Sequence, residues 1–322
     1  MHRRTLLGAS AALAALPSAA FAQNDPVAAG RTGRWRGKRD GAVQAFLGIR
    51  YGNDTSRARF QAAIAPQTGR DTLIATSFAA SCPQTGRATN QHEDCLFLNV
   101  WTPEANAKAG RPVMVYFHGG AYSNGSVIEP QVFGATLAEK GDVVVVTVNH
   151  RLNALGYLYL ARLDPRFPDS GNTGQLDLIL ALIWVRDNIA GFGGDPSRVM
   201  LFGQSGGGAK IATLMGMPAA KGLFHRAATM SGQQVTASGP LNATRRAQAL
   251  LDRLKAKPGD LADIPVERLI DGLRAEDPIL SGGVYMGPVL DMKWLTRHPF
   301  WPDANQPGNA IPLILGNTRD ET

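Results

Sequence analysis

Val199-Met200-Leu201-Phe202-Gly203-Gln204-Ser205-Gly206-Gly207-Gly208-Ala209 is the stretch that decides how this 322-residue chain is read. Four apolar residues in a row make a short buried strand. Gly203-Gln204-Ser205-Gly206-Gly207 follows without a break, and small residues continue to Ala209. A Gly-x-Ser-x-Gly alone is common by chance. Directly after a strand, and before residues small enough to turn tightly into a helix, it has a mechanical meaning. The turn is strained and crowds its neighbours, so the flanking positions carry no side chain. The result is a serine hydroxyl held out at the carboxyl end of the strand, in the posture of a nucleophile. A glycine-rich turn with an incidental serine is the competing reading, and the strand leading straight into the turn argues against it.

Outward from that point, strands and helices alternate. Val143 to Val148 is an almost unbroken valine run, apolar on both faces, as in the centre of a largely parallel sheet. Leu96 to Trp101 and Val113 to Phe117 are further β-rich runs bounded by turn residues. Residues 23 to 60 hold short strands, with Val43 to Ile49 among them, and Ile311 to Leu315 is the last strand-like run. Leu178, Leu182, Val185 and Ile189 fall at helical spacing, and Phe192 to Pro196 reads as a turn before the strand Val199 to Phe202. Residues 241 to 275 read as two amphipathic helices. Their stripes, Leu250, Leu251 and Leu254 on one and Leu269, Ile270 and Leu273 on the other, are packing surfaces. The class is α/β, a central, largely parallel twisted sheet flanked by helices.

His118-Gly119-Gly120-Ala121 stands directly after the run Val113 to Phe117. Acyl transfer passes through a tetrahedral oxyanion, and backbone N–H groups must already point at its charge. Gly120 and Ala121 are the candidate donors, together with the N–H of Gly206 just after the serine. Losing one such donor costs about 2.7–4 kcal/mol of barrier. His118 reads as a residue that orients this loop rather than as a general base. Tyr122, next in line, reads equally as pocket lining and as packing.

The composition is that of an ordinary globular domain, 44% hydrophobic and 18% charged. No apolar run reaches the roughly 20 residues that a membrane span takes. Residues 1 to 22 read as an export signal: Arg3 and Arg4, an apolar run from Leu6 to Leu16, and Ala20-Phe21-Ala22 as the cleavage site before Gln23. The paired arginines resemble a twin-arginine signal, so the expected location is periplasmic or secreted. Loss of this segment lowers the formal net charge of +7 by two. The remaining basic cluster, Arg31, Arg34, Arg36, Lys38 and Arg39, comes with no nucleic-acid motif and reads as a solvated surface. The only two cysteines, Cys82 and Cys95, cannot complete a zinc site. In an exported protein they read as a disulfide worth about 3 kcal/mol, with two buried free thiols as the alternative. The expected chemistry needs no metal and no cofactor. Oligomeric state is not legible.

Taken together, these motifs resemble the type-B carboxylesterase family, which includes para-nitrobenzyl esterase-like enzymes and the cholinesterases. Glu93-Asp94-Cys95-Leu96-Phe97-Leu98-Asn99-Val100 resembles its signature near the first disulfide. Asn188 through Gly207 resembles its serine signature, and Phe224-His225-Arg226-Ala227 to Ser231-Gly232 and Gly287-Pro288-Val289-Leu290-Asp291 also match. Gln204 and Gly206 stand where the family usually has glutamate and alanine. The resemblance implies an α/β-hydrolase fold over residues 23 to 322 and hydrolysis of small-molecule carboxylic esters through an acyl-enzyme on Ser205. In Gly316-Asn317-Thr318-Arg319-Asp320-Glu321 it implies that Glu321 is the triad acid, and it places Ser231 nearby as support.

The family's histidine follows the acid. Here the histidines are at 2, 92, 118, 150, 225 and 298. The expectation is therefore a carboxylesterase domain incomplete at its C-terminal side, inactive and poorly soluble by itself, with His150 the least implausible substitute base. A non-catalytic binding module of the same fold is the competing function, and retention of Ser205 with its oxyanion loop argues against it.

Overall fold

The computed structural model describes residues 25–86, 88–304 and 310–321. The expected export signal, residues 1–22, lies outside them. In chain order the strands are β1 (Val27–Ala29), β2 (Arg34–Arg36), β3 (Lys38–Asp40), β4 (Val43–Arg50), β5 (Thr72–Ile74) and β6 (Phe97–Thr102). They continue with β7 (Arg111–Phe117), β8 (Val144–Val148), β9 (Gly194–Gln204), β10 (Arg226–Met230) and β11 (Leu313–Gly316). The α-helices are α1 (Ala135–Gly141), α2 (Asn153–Tyr157), α3 (Thr173–Asn188), α4 (Gly206–Met215), α5 (Pro240–Leu254) and α6 (Val266–Gly272).

The valine run is β8, and all five of its residues are buried. It sits inside an eight-stranded sheet of order β11-β10-β9-β7-β8-β6-β4-β3. From β8 to β11 every pairing is parallel, and from β8 outward through β6, β4 and β3 every pairing is antiparallel. The parallel half has the arrangement read from the sequence and carries the serine, whereas β4 and β6 are the expected strands Val43 to Ile49 and Leu96 to Trp101 running antiparallel. A separate small sheet, β1-β2-β5, joins two of the short strands expected within residues 23 to 60 to β5, which was not read. Its strands have three residues each, too short for a periodic signal.

The alternation of side chains along β8 sorts the core into two layers. Val144, Val146 and Val148 join the larger cluster, and Val145 joins Trp101 and Val43 in a smaller one. Helices α3 and α4 pack on the first face, against β9 and each other, while α1 packs on the second, over β4, β6 and β8. Helix α3 carries buried polar residues, Gln175 and Asp177, beside its apolar ones, so it is enclosed all round rather than amphipathic. The stripes of α5 are buried as packing surfaces, whereas on α6 only Leu269 and Gly272 are fully buried. One boundary differs from the sequence reading. Gly194 to Pro196 belong to β9 rather than to a turn, because Gly194 pairs with Arg111 before a register shift at Val113.

Beyond α1 the second face is thinly covered. Tyr116 and Phe202 pack ring to ring at 5.1 Å, Met230 is 43% exposed, and Ile314 on β11 is 69% exposed. All four residues of β11 are exposed, an unusual state for a parallel strand. An apolar edge of that kind is a template for association. The chain is expected to run as oligomers in size-exclusion chromatography with light scattering. Pairing Met230→Lys with Ile314→Glu should shift it toward monomer, and an unchanged mass distribution would dismiss this edge as the cause.

Candidate active site

The predicted strand–turn–helix is present. β9 ends at Gln204 and α4 begins at Gly206, leaving Ser205 alone at φ 52° and ψ −124°. For a residue with a side chain this is a strained conformation. Two hydrogen bonds hold it: the Ser205 N–H donates to Met230 O at 2.8 Å, and Ala209 N–H donates to Ser205 O at 3.1 Å. The glycines are required by space. A Cβ on Gly207 would lie 2.0 Å from Phe117 O, and one on Gly206 would lie 2.3 Å from Ala121 O. The turn is therefore seated directly on the end of β7 and the loop that follows.

That loop turns sharply through two successive positive φ values, 82° at Gly120 and 50° at Ala121. Ser123 and Asn124 N–H both donate to Gly120 O at 3.1 Å, tying the turn off. Ser205, Gly206, Ala121, Ser231 and Glu321 line one open cleft of about 510 Å³, with Tyr122 and Tyr285 on its wall. Gly120 lines the adjoining cavity on the His118 side. Ser231, at φ 54°, donates its N–H to Gly316 O at 2.7 Å. This bond joins the ends of β10 and β11, which brings the loop bearing Glu321 to the serine. The Glu321 carboxylate is exposed and accepts from Thr318 N–H at 3.2 Å. Tyr122 combines both expected roles. It is buried, meets Thr213 Oγ1 at 3.2 Å, and also faces the cleft.

No histidine among the described residues lines this cleft. Nδ1 of His92, His225 and His298 accepts from the N–H of Asp94, Val199 and Ala237 respectively. His118 and His150 are fully buried and stacked at 5.0 Å. Nδ1 of His118 meets Gly119 O at 2.9 Å, so His118 orients the loop as read from the sequence. Burial, then the charge of Lys210, pushes its imidazole down to about 3, and the same causes hold His150 well below the ordinary range. His150 is therefore set aside as a substitute base. Among the described residues no cluster of His, Cys, Asp or Glu is placed to hold a metal.

The depressed imidazoles give stability a pH dependence with a definite sign. Between about pH 6.5 and 3 the unfolded chain binds a proton at His118 that the folded chain refuses. Stability is thus fully present above 6.5 and is lost as pH falls, by about 1.4 kcal/mol per unit for one such group. Urea midpoints at pH 7 and pH 5 measure the slope. His118→Asn should flatten it by about one proton, and an unaltered slope would exclude His118 as a source.

Cys82 and Cys95 take the second of the two states left open by the sequence. Both are buried free thiols in the structure, not a disulfide. Cys82 Sγ accepts the N–H of Leu152 at 3.2 Å, and a hydrogen bond with Cys82 pushes the Cys95 thiol up. Sequence reading also missed Lys210, fully buried on α4, and the Arg151–Asp177 ion pair. The signal for Lys210 was a charge interrupting the small and apolar run after the serine. For Arg151 it was a polar triplet, Asn149-His150-Arg151, at the end of the valine strand.

The geometry agrees with comparisons to known proteins. The model of the carboxylesterase family matches residues 24–322. The para-nitrobenzyl esterase of Bacillus subtilis (strain 168) is 41% identical over 237 residues, covering 72% of this chain and 48% of that protein. The fumonisin B1 esterase of Sphingopyxis macrogoltabida is 35% identical over 255 residues, covering 73% and 44%. Among solved structures, the Geobacillus stearothermophilus carboxylesterase superposes with a TM-score of 0.84 at 36% identity, over 91% of this chain and 61% of that one. The chain spans about half the length of the curated relatives it matches.

Proposed function

The chain belongs to the carboxylesterase family and has its α/β-hydrolase fold, and from that premise we propose that it carries the nucleophile, the acid and the oxyanion donors of a serine carboxylic ester hydrolase. The observation that carries this reading is the meeting of Ser205, Ala121, Gly206 and Glu321 in one cleft. Ser205 Oγ attacks the ester carbonyl, and the N–H groups of Gly120, Ala121 and Gly206 receive the oxyanion. Departure of the alcohol leaves an acyl-enzyme that water hydrolyses. Glu321 orients an imidazole and stabilises it when protonated. That imidazole comes from outside the described residues, since none of theirs faces the cleft. The substrate class is a small carboxylic ester, in line with the names of the relatives. A periplasmic or secreted location through cleavage before Gln23 is part of the proposal, and oxidation of Cys82 with Cys95 after export goes with it.

The test uses the protein expressed from the longest reading frame that contains these 322 residues. A fluorophosphonate probe should add to Ser205, mapped by peptide mass, and short-chain nitrophenyl esters should be cleaved with an acyl burst. Absence of both would leave the binding-module reading in its place. The 322-residue chain alone should show neither at an appreciable rate, because loss of the triad histidine costs on the order of 10⁶ in turnover.

A further inference from the structure

Helix α4 is small or apolar along most of its length, but Lys210, five residues after Ser205, is fully buried in it. Its Nζ donates to the His118 carbonyl oxygen at 2.8 Å. An ammonium has three donors, so two more remain. Two buried acceptors close by lack partners. Nδ1 of His118 meets Gly119 O at 2.9 Å, and Nδ1 of His150 meets Arg151 O at 2.8 Å. A carbonyl only accepts, so each Nδ1 carries the hydrogen and each Nε2 is left as a lone pair. Both Nε2 atoms are buried and unpartnered, and the Lys210 charge acts on both rings. The spare donors and the spare lone pairs are complementary in kind, and no direct bond joins them.

We propose that Lys210 is a positioning residue for the oxyanion loop: it ties α4, which begins beside the nucleophile, to the carbonyl that opens the loop, and it holds the stacked His118–His150 pair in place behind it. This rests on the acyl-transfer reading of Ser205. The His118 carbonyl is the start of the turn through Gly120 and Ala121, so a bond to it fixes where the donors point relative to Ser205. A buried charge is a poor way to stabilise a helix. Burial pushes this ammonium down to about 7, a cost that a packed methionine would avoid. Gly125 closes tightly against the His118 ring, where a Cβ would lie 2.2 Å from Nδ1.

Two measurements test the tie. Hydrogen exchange of residues 118–124 in the 322-residue chain should rise about tenfold in Lys210→Met, with exchange in β8 unchanged. In the protein from the longest reading frame, kcat for a nitrophenyl ester should fall about 10–100-fold with KM within threefold. Lys210→Gln, which keeps an uncharged N–H donor group, should restore part of both, and it serves alone if Lys210→Met does not fold. Unchanged loop exchange in either folded variant, or a loss falling equally on KM, overturns the proposal. If the protein from the longest reading frame cleaves no ester, the acyl-transfer reading fails, and loop exchange still decides the tie.

Discussion

Ser205→Gly should abolish ester hydrolysis, by on the order of 10⁶ in kcat, and yet make the protein more stable. The two effects come from one atom group. The side chain is the proposed nucleophile, and its Cβ is what makes φ 52°, ψ −124° costly. Strain at such a residue is about 1–3 kcal/mol, and glycine recovers part of it while adding entropy to the unfolded chain. A net gain of about 1 kcal/mol is expected, or about 2 °C in Tm. Ser205→Ala is the control. It removes the hydroxyl and keeps the Cβ, so it should be equally inactive without the gain. Thermal unfolding of the three proteins, with nitrophenyl ester assays on the longest reading frame, separates the contributions. Equal Tm for the glycine and alanine variants would show that the surrounding bonds, Ser205 N–H to Met230 O and Ala209 N–H to Ser205 O, relax the turn at no cost.

The elbow was legible because its chemistry is local. Every residue that makes it, from Val199 to Ala209, is contiguous, and the glycine requirement shows directly in the spacing. The oxyanion loop was legible for the same reason. Glu321 is proposed as the acid only through the family resemblance, since nothing around an exposed acidic residue says that β11 pairs with β10 and brings it to Ser205. The antiparallel direction of β4 and β6 was not read, because both strands are buried on both faces and look like parallel ones. In the sequence Lys210 and Asp177 look like ordinary helix charges. What gives them meaning is a partner far away in sequence, His118 in one case and Arg151 in the other.

Asp177→Leu is the single change expected to destabilise the fold most. Asp177 is 0% exposed on α3, and Arg151, just past β8, is 2% exposed. The carboxylate accepts from Arg151 N at 3.1 Å, Nε at 2.8 Å and Nη2 at 2.7 Å. Arg151 Nη1 goes on to Gln61 O at 2.8 Å. Removing the carboxylate leaves a guanidinium in the core with no counter-charge, which costs about 3–5 kcal/mol. That is a large part of a typical 5–15 kcal/mol total. Replacing both partners with apolar residues, Asp177→Leu with Arg151→Met, should recover most of the loss, because the desolvation cost disappears along with the attraction. Urea unfolding of the two singles and the double forms the cycle. A single-variant loss below about 1 kcal/mol would mean that water reaches the pair. The consequence extends to the site. Asn153, two residues beyond Arg151, donates its N–H to Tyr122 O at 2.7 Å, and Tyr122 follows the proposed oxyanion donor Ala121. The Arg151–Asp177 pair thus anchors to α3 the segment on which the oxyanion loop rests. In the longest reading frame the double variant should fold and still lose kcat, because an apolar pair packs without fixing the direction of that segment.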